Sequence, residues 1–127
     1  MKFQPDHLDG VNAIGRLESG RIFVHQTPFT HSVLVPWVGV AQAWPFSGAS
    51  SLREGAFDAV LAWKPEVVIF GSGARMRFAP PALLRPLIER RIGVECMDTA
   101  AACRTYNVLV SERRSVLAAL ILEPAAP

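Results

Sequence analysis

Two apolar runs constrain this chain more than any other feature. Residues 66–70 read Glu-Val-Val-Ile-Phe, and residues 115–122 read Ser-Val-Leu-Ala-Ala-Leu-Ile-Leu. A strand with one wet face alternates apolar and polar residues, whereas an unbroken apolar run of this length is a strand covered on both faces. Between the two lie residues 80–91, with Leu83, Leu84, Leu87 and Ile88 at helical spacing, then a short strand at 94–97, then a helix from Thr99 to about Val110. Pro80 and Pro81 suit the opening of the first helix, Pro86 predicts a kink or a late start, and Gly93 ends it. Asp98 is placed to cap the second. Strands alternating with helices give an α/β sheet with helices on both faces, and the right-handed crossover makes residues 66–70 and 94–97 parallel neighbours.

The first half is read as β-structure followed by one helix. Short strands fall at 21–25, 32–35 and 38–41, with Thr27-Pro28 as a turn and Pro36 ending a strand or marking an edge. Ser51 and Glu54 have the spacing of a capping box, which predicts a helix over 50–63 stopped by Pro65. Trp37, Trp44 and Phe46 belong to the core or to one exposed patch, and a patch of that kind would mark a partner site.

Composition then narrows the function classes. With 127 residues, the chain is the size of one domain, taken as residues 1–123 with 124–127 as a fraying tail. A net charge of +2 is not that of a dedicated nucleic-acid binder, although residues 75–127 hold eight arginines against five acids. The longest stretch free of Asp, Glu, Lys and Arg runs from Ile22 to Leu52, but three prolines break it, so no membrane span is expected. Residues 1–10 lack the apolar core of a signal peptide, and a cytoplasmic protein with reduced thiols is expected.

A site is expected at the carboxyl ends of the parallel strands. Two loops meet there, and they define a candidate cleft of Gly71, Ser72, Gly73, Arg75, Asp98 and Thr99. Gly71-Ser72-Gly73 lacks the third glycine of a dinucleotide fingerprint and has no following Gly-Lys-Ser/Thr. Asp98 is read first as a helix cap. Cys96 and Cys103 have neither redox nor metal spacing and are read as inert thiols, although Arg104 could depress the Cys103 thiol. His25 and His31 flank the Thr27-Pro28 turn and lack a third metal ligand; His7 stands alone. Asn107 lies one turn after Cys103 and is expected to bond a neighbouring loop. No complete catalytic constellation, metal site or cofactor motif is visible.

The run from Val94 to Arg114, with residues 68–73 upstream, resembles a family of small α/β proteins of unknown function. That family includes the mitochondrial respiratory complex I assembly factor 3 and an adipogenesis-associated cytosolic protein. The positions that match are Gly71, Gly73, Met97, Thr99, Ala102, Arg104, Thr105, Asn107 and Glu112, and Trp44 and residues 116–122 also fit. The resemblance implies a three-layer domain with a mixed central sheet and extra β-structure from the N-terminal half. It implies structural roles for Arg104 and Asn107, and a protein partner, with a component of a membrane complex as the expected kind. It carries no established activity. Where the family often has glycine, this chain has Arg113, so a different turn is expected there. The two readings are a non-catalytic binding or assembly-adaptor protein and, as the alternative, a small-molecule enzyme or sensor using the cleft.

Overall fold

A computed structural model describes residues 10–124. Its central sheet has five strands in the order β5-β4-β8-β6-β7. These are β4 (Val33–Pro36), β5 (Gln42–Ala43), β6 (Val67–Gly71), β7 (Gly93–Met97) and β8 (Val116–Leu120). As the crossover rule requires, β6 and β7 are parallel, with Val67 opposite Gly93 and Gly71 opposite Met97. The second apolar run supplies β8, which pairs parallel to β6 on one side and antiparallel to β4 on the other. The sheet is therefore mixed, with β8 at its centre. Three more strands, β1 (Ile14–Glu18), β2 (Arg21–Val24) and β3 (Thr27–Phe29), form a separate antiparallel sheet from the N-terminal half.

Both faces of the central sheet are covered, which accounts for its unbroken apolar strands. On one face Val67, Ile69, Val116, Ala118 and Leu120 pack against helix α2 (Thr99–Ser111) and the β1–β2 hairpin. On the other, Val68, Phe70, Leu117 and Ala119 pack against helix α1 (Pro81–Glu89) and residues 44–60. The helix starts at Pro81 and not late, and it carries Pro86 inside it. Among the described residues, no helix is long and apolar enough to cross a membrane.

Three expectations for the first half need correction. Residues 50–63 form no α-helix. Two short 3-10 segments stand there, Ala49–Ser51 and Asp58–Trp63. The Ser51–Glu54 capping box is absent. The Ser51 hydroxyl instead donates to the Gly48 carbonyl at 2.7 Å. Gly55 at φ +85° turns the chain between the segments, so the apolar spacing of Ala56, Phe57 and Val60 is met by turns. Residues 38–41 form no strand: 37–39 are a bend, Val40 is 83% exposed, and the short strand falls at β5. Trp44 and Phe46 are buried in the core, the first of the two readings for them, and Trp37 is half-buried, so the exposed patch falls away; the Trp44 indole donates to the Ala56 carbonyl at 2.8 Å. Finally, Thr27-Pro28 lies in β3, and the turn is His25-Gln26, with His25 at φ +54°. The two histidines thus stand at opposite ends of β3.

Both α-helices end alike. Arg91 and Arg113 take left-handed backbone at φ +58° and +62°. The N–H of the next residue reaches back to the helix in each case, Ile92 to Leu87 at 2.9 Å and Arg114 to Leu109 at 3.1 Å. This is a Schellman ending, normally built on glycine. The Arg113 turn therefore keeps the geometry that glycine would give, with a residue that bears the left-handed strain. Arg113→Gly is expected to raise the unfolding free energy by about 0.5–1 kcal/mol. Urea denaturation checks this, and a lower midpoint would contradict it.

Candidate functional site

The carboxyl ends of β6 and β7 come together as the sequence implies. Beyond Gly71, the Ser72 N–H donates to the Met97 carbonyl at 2.9 Å, which carries the pairing one residue past the strand. Thr99 then fastens three segments. Its N–H donates to the Gly73 carbonyl at 2.9 Å, and its hydroxyl accepts from the Gly73 N–H at 2.8 Å. The same hydroxyl donates to the Ile121 carbonyl at 2.7 Å. Ser72 holds its own loop: its Oγ lies 2.6 Å from the Arg75 carbonyl and accepts from the Arg77 N–H at 2.8 Å. Asp98 caps α2 by accepting from the Ala101 N–H at 2.8 Å. Both hydroxyls are buried, and Asp98 is half-buried.

A groove of ≈ 450 Å³ opens beside this junction. Of the six cleft residues, Gly73, Asp98 and Thr99 line it; Gly71, Ser72 and Arg75 do not. Gly71 is buried against α2, Ser72 is turned into its loop, and Arg75 is exposed outside the groove. The sequence reading missed the far wall, formed by Leu17 to Gly20 of the β1–β2 turn, and the floor at Leu122 and Glu123. No local signal pointed to either, because both arrive through long-range packing. The charge of the groove follows from these additions. Glu18, Asp98 and Glu123 line it, and no lysine or arginine does among the described residues. Each carboxylate already has a partner. Glu18 lies 3.3 Å from Arg16 Nε, Asp98 caps its helix, and Glu123 accepts from the Ala74 N–H at 2.7 Å. A groove of this sign suits a cationic or neutral group better than the anion that the helix end alone suggests.

The remaining polar residues are structural in their contacts. The Asn107 side chain pairs with both backbone groups of Ile14: Ile14 N–H donates to Oδ1 at 2.9 Å, and Nδ2 donates to the Ile14 carbonyl at 2.8 Å. Its partner is thus the first residue of β1, next to a register shift in that strand. Tyr106 was not singled out in the sequence. Its buried hydroxyl lies 2.9 Å from the Asn12 carbonyl and 3.1 Å from that of Pro36. Arg104 is on the exposed side of α2. Among the described residues, no three His, Cys, Asp or Glu side chains converge as metal ligands would.

Cys103 is buried, and burial pushes its thiol up to about 12; the nearby Arg104 charge opposes this and does not overcome it. The depressed thiol is thereby corrected: desolvation outweighs an exposed guanidinium. Burial raises the Tyr106 hydroxyl as well. An unfolded thiol loses its proton from about pH 9 while the folded one keeps it to about 12, so stability falls as pH rises through that window. At pH 8 the folded protein should be alkylated by iodoacetamide at half-exposed Cys96 and spared at Cys103. Equal labelling of both would show that Cys103 is accessible.

A family model described as a protein of unknown function, DUF498/DUF598, matches residues 14–121. The chain belongs to that family. It is 30% identical over 124 residues to the human NADH dehydrogenase [ubiquinone] 1 alpha subcomplex assembly factor 3, covering 95% of this chain and 63% of that one. Across the vertebrate assembly factors of this name, the match spans 34% to 63% of the relative's length. The chain is also 25% identical to the 13 kDa major membrane protein of Francisella tularensis, over 80% of this chain and 84% of that one. A Bordetella pertussis protein, solved as an Mth938-like domain, superposes with a TM-score of 0.84 at 27% identity, covering 99% of this chain and 95% of that one. The mixed-sheet, three-layer fold is therefore shared with that Mth938-like domain.

Proposed function

We propose that this chain is a non-catalytic binding protein that assists assembly of a membrane-bound respiratory complex, working from the cytoplasmic side as one domain over residues 1–123. One observation carries the reading. The hydroxyls and carboxylate at the carboxyl ends of the parallel strands are spent on the fold itself: Ser72 on its loop, Thr99 on Gly73 and Ile121, and Asp98 on Ala101. A hydroxyl nucleophile must be free to meet substrate, and both hydroxyls already have partners, while Asp98 gives one oxygen to its helix. The name of the human relative supports assembly as the task and a respiratory-complex subunit as the partner.

Deletion of the gene in its source cells tests this. Native-gel analysis of the membranes should show incomplete forms of the NADH-oxidising complex, restored by the wild-type gene and also by an Asp98→Asn variant. A fully assembled complex in the deletion strain rejects the reading. The alternative, a small-molecule enzyme or sensor, is favoured by the groove and its three carboxylates. Native mass spectrometry on gently purified protein separates the two. A small cationic or neutral adduct lost on Asp98→Ala would favour the groove, and a co-purifying subunit without an adduct would favour the adaptor.

A further inference from the structure

The stretch from loop 74–78 through α1 carries charge and exposed apolar surface that neither the core nor the groove uses. Residues 74–91 hold Arg75, Arg77, Arg85, Arg90 and Arg91 against Glu89 alone. All six are exposed. The same segment leaves Phe78 77%, Ile88 60% and Met76 44% exposed. Arg85 and Ile88 lie one turn apart on the outer side of α1, away from buried Leu87. The loop is held in place: Ser72 Oγ contacts the Arg75 carbonyl and accepts the Arg77 N–H, and Ala79 is buried just beyond Phe78. A fixed loop presents these side chains without an ordering cost at the moment of contact.

We propose that this loop and the outer side of α1 dock on an anionic lipid surface, with Phe78 and Met76 entering the headgroup boundary and the arginines meeting lipid phosphates. The two contributions fit a bilayer together. Exposed apolar side chains alone give weak membrane attachment, and basic charge supplies the second signal. Each basic residue near an anionic surface strengthens binding about fivefold. Arginine suits this role through its planar, bidentate contact with phosphate. The groove beside α1, lined by Leu83, Arg85 and Pro86, also holds Glu54 and Asp58, whose charge opposes an acidic peptide, whereas Phe78 stands 77% exposed as a bilayer contact requires. The docking stands apart from the adaptor reading, since it follows from this surface alone.

Co-sedimentation with vesicles tests it. The wild-type chain should sediment with vesicles of 30% phosphatidylglycerol in phosphatidylcholine, not with pure phosphatidylcholine, and less in 0.5 M salt than in 0.05 M. Arg75→Glu with Arg77→Glu should weaken binding at least tenfold, and Phe78→Ser about fivefold or more. Melting temperatures should stay near wild type, because these side chains are exposed. Arg21→Glu, an exposed arginine on β2, should leave binding within about twofold. Failure to bind anionic vesicles overturns the proposal, and so does an Arg21 effect equal to that of the loop arginines. Binding to a polyglutamate peptide without binding to vesicles would assign the surface to an acidic protein and likewise overturn it.

Discussion

Asn107→Leu is expected to lower the unfolding free energy by about 3 kcal/mol and to leave the chain folded. Ile14 is fully buried, and its N–H and carbonyl both end on the Asn107 amide. Leucine has the same side-chain branching as asparagine, with bulkier methyl groups, and offers neither donor nor acceptor. Two backbone groups then lose their partners away from water, at about 1–3 kcal/mol each before relaxation. Asn107→Asp is the useful contrast. It keeps the acceptor for the Ile14 N–H and loses the donor, and it brings a charge into a buried position. Urea denaturation followed by tryptophan emission gives the number. A leucine variant with the wild-type midpoint would mean that β1 is held without Asn107.

Gly71→Val is expected to cost about as much, near 3 kcal/mol, by a different route. A Cβ at Gly71 would stand 3.0 Å from the Ala102 Cβ, from Leu120 Cδ2 and from the Thr99 Cα. The leucine can rotate away. The Thr99 backbone cannot, because its N–H and hydroxyl are fixed to Gly73 and Ile121. The valine branches must therefore push α2 off the sheet or deform the loop. The position needs glycine for close approach of helix to strand, not for an unusual backbone angle. Thermal unfolding checks it. A valine variant that melts within about 2 °C of wild type would show that α2 can shift at little cost.

The accuracy of the sequence reading tracked the range of the interactions involved. Asp98 was readable as a cap because its partner, the Ala101 N–H, is three residues away. The strands at 66–70 and 115–122 were readable because burial on both faces removes the polar half of the pattern. The segment 50–63 misled because its apolar residues do pack on one side, yet Gly55 breaks the helix that would have spaced them. The candidate cleft was half legible. Its near wall follows from parallel pairing of β6 and β7. Its far wall at Glu18 and its floor at Glu123 depend on where a separate sheet and the exit of β8 come to rest, and no local pattern encodes that. Asn107 was legible as a buried amide needing partners, but its partner is 93 residues away.

The place of β8 between β4 and β6 bears on how the chain is made. Synthesis runs from the N-terminus, and the strand at the centre of the sheet is the last of the eight to leave the ribosome. Until residues 116–120 emerge, β4 and β5 have no bond to β6 and β7, and both apolar layers lack their middle. A nascent chain ending near residue 112 should therefore be held in an open, protease-sensitive state, with folding completed once β8 has emerged. Slow, non-local closure of this kind leaves a window in which chaperones or an early partner can engage the unfinished sheet.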